Sequence, residues 1–189
     1  MRNIIIFLVL LFTKATYSQT NTIDITEGTS MGAPIGTYIK DINNIFTPYL
    51  GTWRYENGDE ILLLKLEKVT KYYNAEFKTY YDFIKGNYSY STDGGITFLV
   101  NTISTNPNNN TPDGNPIYSS DPNLNIDWEN FIFKDIGFNK PCKASIRFVP
   151  NSTTQLEFKL KASKRAYIVG EESIQQGFSI PTNVILTKQ

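Results

Sequence analysis

The sequence contains no histidine and only one cysteine, Cys142. The first absence excludes Ser-His-Asp and Cys-His catalysis, histidine-containing zinc sites and an imidazole pH switch. The second excludes a disulfide framework and every multi-cysteine metal site. Charge of one sign is also missing. Lys plus Arg number 18 and Asp plus Glu number 18, so there is no basic footprint for nucleic acid. Long apolar runs are scarce. The one unbroken run, Ile4 to Phe12, falls far short of the roughly 20 residues a membrane-spanning helix needs.

What the chain does have is aromatic bulk. Of 189 residues 14% are aromatic, with 12 Phe and 12 Tyr, enough apolar area for one core. The length argues for a single domain.

The N-terminus reads as a targeting signal. Arg2 precedes the Ile4–Phe12 run, a polar stretch follows, and the small residues Thr16 and Ser18 suit a signal-peptidase site. The expected organisation is a signal peptide at 1–18, an exposed arm at 19–40, and one domain at 41–189. Cleavage near Ser18–Gln19 directs the mature chain to the periplasm or the exterior, with no membrane span left in it. No cysteine lies just after the apolar run, so lipid attachment is not indicated.

Downstream, apolar residues alternate with polar ones. Asp41 to Leu50 is expected to form a helical turn or two, capped by Asp41 and kept short by Pro48. After Gly51 the period becomes two. Trp53 and Tyr55 alternate, Asn57-Gly58 marks a hairpin turn, and Leu62, Leu64 and Leu66 share one face of the returning strand. Residues 69–82 are aromatic and ambiguous. Strands are expected at Ile84–Ser91, with a bend at Gly86, and around Ile96, Phe98 and Val100. Thr105 to Asn125, rich in Asn and Pro, reads as a long loop with a short edge strand near Ile117-Tyr118. Further strands cover Asn130–Lys134, Lys143–Val149, Gln155–Lys161 and Val184–Thr187. Eight to ten short strands joined by tight turns mean an all-β, antiparallel sandwich or barrel.

The segment Tyr49-Leu50-Gly51-Thr52-Trp53, a helical lead-in running into Gly-x-Trp, resembles the start of the lipocalin and calycin barrels. Together with Tyr38–Asn44, Tyr81–Tyr88 and Ile180–Lys188, it is similar to an uncharacterised family of small secreted bacterial proteins, a domain of unknown function. The resemblance implies a lipocalin-like barrel of about 8–10 strands and no particular activity. It also implies that Trp53 packs at the closed end against a late basic side chain, with Lys188 and Lys161 both eligible.

Each candidate site has a structural alternative. Trp53 reads as a core plug before it reads as a ligand contact. Asp121, Asn123, Asn125, Asp127 and Glu129 alternate like a calcium loop, but its required glycine and final glutamate positions hold Ile126 and Ile132, so no metal is expected. Glu56, Asp59 and Glu60 flank a turn and read as solvated acids, not as an acid–base pair. Tyr72, Tyr73, Phe77, Tyr80, Tyr81 and Phe83 form an aromatic cluster, read as packing or as a contact surface. Cys142 lies between Lys140 and Lys143. It reads as a buried small hydrophobe, with a reactive thiol as the alternative.

No catalytic residue or cofactor is expected. The leading expectation is a non-enzymatic binder of a small apolar ligand inside the barrel, lined by Trp53, Leu64, Tyr88, Phe98, Ile146, Phe148, Leu156 and Phe158. The alternative is an envelope-associated or extracellular module that meets a protein partner through the aromatic cluster or the 105–125 loop.

Overall fold

The structure is a computed structural model that describes residues 21–105, 109–112, 114–119, 129–162 and 176–189. The leader and the Asp121–Asp127 stretch lie outside the described residues. Eleven strands form one continuous sheet. They are β1 (Thr22–Asp24), β2 (Tyr38–Lys40), β3 (Gly51–Asn57), β4 (Glu60–Asn74), β5 (Thr79–Ser91), β6 (Val100–Asn101), β7 (Ile117–Ser119), β8 (Glu129–Asp135), β9 (Lys140–Phe148), β10 (Gln155–Ala162) and β11 (Asn183–Lys188).

Eight of these close on themselves. Pairing runs antiparallel through β3, β4, β5, β7, β8, β9, β10 and β11, and β11 then returns to β3. Apart from the two-residue β6, which pairs with β5 off this path, each strand neighbours the next in sequence, so this is an up-and-down barrel. Two seams are short. β11 meets β3 through Thr187↔Arg54 and Lys188↔Trp53, and β7 meets β5 through Lys85↔Tyr118 and Gly86↔Ile117. The expected edge strand at Ile117-Tyr118 is therefore no edge. It is paired on both sides and completes the cylinder.

Gly86 makes the second seam possible. A Cβ there would lie 2.8 Å from Leu66 Cδ2 and 3.2 Å from Ile117 Cβ. Only glycine lets β4, β5 and β7 converge at that point. The β3–β4 hairpin turns one residue later than the sequence pattern implies. Asn57 still pairs with Glu60, leaving Gly58-Asp59 as the loop. Gly58 has φ +60 while Asp59 is not left-handed, the pattern of a type II′ turn.

The ambiguous 69–82 region is the tip of a long β4–β5 hairpin. It runs past the barrel wall and carries β2 and then β1 in parallel register on the β5 side. A bulge between Val69 and Tyr72 sets Lys71 at φ +53. The 19–40 arm is thus partly built in, with Ile25 and Ile39 fully buried.

The expected strand pattern fails over residues 96–99. Ile96, Phe98 and Leu99 are exposed at 84%, 39% and 65%, and only Val100–Asn101 pairs with β5. Local turn chemistry overrides the strand pattern. The Asp93 carboxylate accepts the Thr97 N–H at 2.9 Å and its hydroxyl at 2.5 Å, and the Ser91 hydroxyl accepts the Gly95 N–H at 2.9 Å. Phe98 is corrected accordingly: it lies on this loop, outside the barrel interior.

Candidate functional site

Of the expected interior residues, Trp53, Leu64, Tyr88, Ile146, Leu156 and Phe158 are fully buried, and Phe148 is half-buried at one end. The strands that carry them place large rings together in the lumen. Tyr88 on β5 lies 5.0 Å from Phe133 on β8, and Phe133 lies 6.1 Å from Phe158 on β10, centroid to centroid. Trp53 on β3 lies 6.0 Å from Phe148 on β9. These contacts join walls of the barrel that share no backbone pairing. The interior is packed by its own side chains along this line.

The lead-in closes one end. Thr47–Tyr49 forms a single 3-10 turn with Pro48 as its second residue, the lower end of the expected one or two turns. Asp41 does not cap this turn, whose N-cap is Phe46, but its carboxylate fixes the chain just before it, accepting the Ile45 N–H at 2.7 Å and the Phe46 N–H at 3.4 Å. The Trp53 indole donates to the Tyr49 carbonyl at 2.7 Å. Lys188, not Lys161, is the basic partner. Its ammonium sits 5.1 Å over the Trp53 ring and donates to the Pro48 carbonyl at 3.1 Å. Lys161 points outward from β10 and is exposed.

A buried carboxylate clasp ties the arm to the long hairpin. Lys68 reaches Asp41 at 2.8 Å and Asp82 at 3.5 Å. Asp82 also accepts the Tyr38 hydroxyl at 2.6 Å, the Lys71 N–H at 2.9 Å and the Asp41 N–H at 3.1 Å. Asp24 accepts the Thr26 hydroxyl, which holds its carboxyl below the usual range, along with the Ile42 N–H. Every carboxylate in the clasp is engaged in holding backbone, so the cluster is structural.

Of the turn acids, Glu56 and Glu60 are engaged. Glu56 pairs with Arg54 on the surface, and Glu60 accepts the Tyr90 hydroxyl at 2.9 Å. Cys142 is fully buried, and burial pushes its thiol up, with Asp135 adding to the rise. Lys140 acts in the opposite direction but is outweighed, so the thiolate is not favoured.

The aromatic cluster divides by face. Phe83 is buried, with Tyr72 edge-on to it at 5.6 Å and Tyr81 tilted against it at 5.7 Å on one side of the hairpin. Tyr38, Tyr80 and Tyr73 form a row across β2, β5 and β4 on the other, as successive cross-strand partners. Tyr73 is 48% exposed, and its ring lies 5.2 Å from that of Tyr80. The Lys71 ammonium stands 5.7 Å from the Tyr38 ring and 5.5 Å from the Tyr80 ring. The bulge places this cation there. Sequence reasoning singled out the tyrosines at 73 and 80 but missed Lys71 and Tyr38, which join them only through space.

A closed eight-stranded up-and-down cylinder, plugged by a tryptophan under a late lysine, defines a lipocalin-like β-barrel protein. The chain belongs to DUF6705, a family of unknown function whose family model matches residues 1–189. No curated protein and no solved structure gives a significant match.

Proposed function

We propose that this protein is an exported, non-enzymatic binding module that meets a protein partner through the Tyr38–Tyr80–Tyr73 row and Lys71. One observation carries the choice of surface over lumen: the rings of Tyr88, Phe133 and Phe158 meet where an apolar ligand would sit. Tyrosine supplies large contact area at low conformational-entropy cost and is enriched at protein interfaces. The row is held rigid from behind, since the Tyr38 hydroxyl is fixed by Asp82. The absence of histidine, the buried thiol and the engaged carboxylates support a role without catalysis. Export rests on the leader-like sequence at 1–18.

Native mass spectrometry of the protein purified from its source tests this reading. The expected spectrum shows a co-purifying protein that disappears in the Tyr73→Ala and Lys71→Glu variants, on a chain beginning at Gln19. A retained lipid-sized mass, unaffected by those substitutions, would return the function to the lumen.

A further inference from the structure

A groove of about 870 Å³ opens at the plugged end of the barrel, between the lead-in and the β9–β10 turn. Its volume is within the roughly 300–1,000 Å³ usual for ligand sites. The floor is apolar and includes Ile45, Pro48, Val149 and the half-buried Phe148, whose ring lies 4.9 Å from that of Tyr49 beneath. The banks are amides and hydroxyls. Asn43 and Asn44 stand on the lead-in side, and Asn151, Ser152 and Thr153 on the turn side.

Both banks are pre-shaped. Asn44 and Asn151 hold left-handed backbone at φ +56 and +62. The Asn43 amide donates to Asp24 at 3.2 Å, and the Ser152 hydroxyl accepts the Gln155 N–H at 3.0 Å. The side chains of Asn44 and Asn151 bond to no described residue and are exposed on the two banks. Among the described residues lining the groove Arg147 alone is charged, and its guanidinium is held by Glu157 at 2.5 Å.

We infer that this groove binds a neutral oligosaccharide. Three features select that class. The one charged group among the described lining residues, Arg147, is engaged by a Glu157 carboxylate that it shares with Lys159, so recognition falls mainly to neutral groups. Carboxamides donate and accept at once, as sugar hydroxyls do. The floor gives the C–H face of a pyranose ring an apolar surface to lie on. The site lies on different elements from the tyrosine row and does not depend on it.

Amide-shift mapping by NMR on the full mature chain tests the inference. Maltohexaose, cellohexaose and N-acetylchitohexaose serve as neutral probes, with hexagalacturonate as the acidic control. At least one neutral probe is expected to shift the amides of Asn43, Asn44, Phe148, Val149, Asn151, Ser152 and Thr153 saturably, and the control is expected to leave them in place. Asn44→Gly with Asn151→Gly removes both carboxamides while keeping the left-handed backbone accessible. That double variant is expected to bind about tenfold more weakly, as for one lost hydrogen bond. The inference is overturned if no neutral probe shifts these amides. It is equally overturned if hexagalacturonate binds as well as they do, or if the double variant keeps full affinity.

Discussion

Lys188 and Trp53 are direct cross-strand partners at the seam where the last barrel strand meets the first, and the ammonium of one lies 5.1 Å over the ring of the other. The seam has little else. One further residue pair, Thr187 with Arg54, and the Gln189 N–H to the Thr52 carbonyl at 2.9 Å complete it. A cation over an indole contributes about 0.5–2 kcal/mol. Lys188→Met, which keeps the apolar stem and removes the charge, is expected to cost about 1 kcal/mol in urea denaturation and to shift the Trp53 emission. Lys161→Met should do neither. Equal effects would mean that the late lysine has no special place at the plugged end.

The β5–β7 seam depends on the missing side chain of residue 86. Gly86→Ala drives a methyl to within 2.8 Å of Leu66 Cδ2 and 3.2 Å of Ile117 Cβ. Overpacking of this kind costs about 1–3 kcal/mol. Amide exchange should show the loss, with Ile117 and Tyr118 losing protection first. An unchanged exchange pattern would argue that β7 does not close the cylinder.

Asp82 is the keystone of the arm. Asp82→Asn removes its charge beside Lys68, and one amide cannot accept from Tyr38, Lys71 and Asp41 together. The loss should be on the order of 3 kcal/mol. It should appear as protease cutting near Tyr38–Lys40 while the barrel stays folded. Loss of the whole fold at the same denaturant concentration would show that the arm and barrel are one cooperative unit.

Alkaline titration separates buried from exposed phenols. Burial, with the Glu60 carboxylate second, pushes Tyr90 up to about 12 from 10.0. Burial also raises Tyr88, and burial together with Asp82 raises Tyr38. A raised folded-state value stabilises the fold below the unfolded value, and that contribution is lost as pH climbs through the folded one. For Tyr90 the window therefore runs from pH 10.0 to about 12. Ultraviolet absorbance should show exposed tyrosines ionising first and these three only as the far-ultraviolet circular dichroism collapses. Tyr90→Phe should move the collapse. Smooth ionisation of every tyrosine before unfolding would contradict the burial described here.

The cylinder was largely legible from period two. Leu62, Leu64 and Leu66, and likewise Leu156, Phe158 and Leu160, alternate and are buried. What escaped has physical causes. The strand at Ile117-Tyr118 was legible but its pairing on both sides was not, because it lies in Asn- and Pro-rich sequence and is held by backbone pairing, with Ile117 as its fully buried apolar side chain. Phe98 sits in a good alternating pattern that Asp93 and Ser91 dismantle through local hydrogen bonds. The tyrosine row depends on a bulge that shifts the phase at Lys71. The clasp unites Asp24, Asp41, Lys68 and Asp82, which only tertiary structure brings together. The choice of Lys188 over Lys161 was likewise a matter of register.

A measurement of contacts between ring protons addresses the packed lumen most directly. With Tyr88, Phe133 and Phe158 selectively labelled, nuclear Overhauser effects are expected between Tyr88 and Phe133 and between Phe133 and Phe158, matching centroids at 5.0 and 6.1 Å. Their absence, with cross-peaks from these rings to a bound acyl chain instead, would contradict the account.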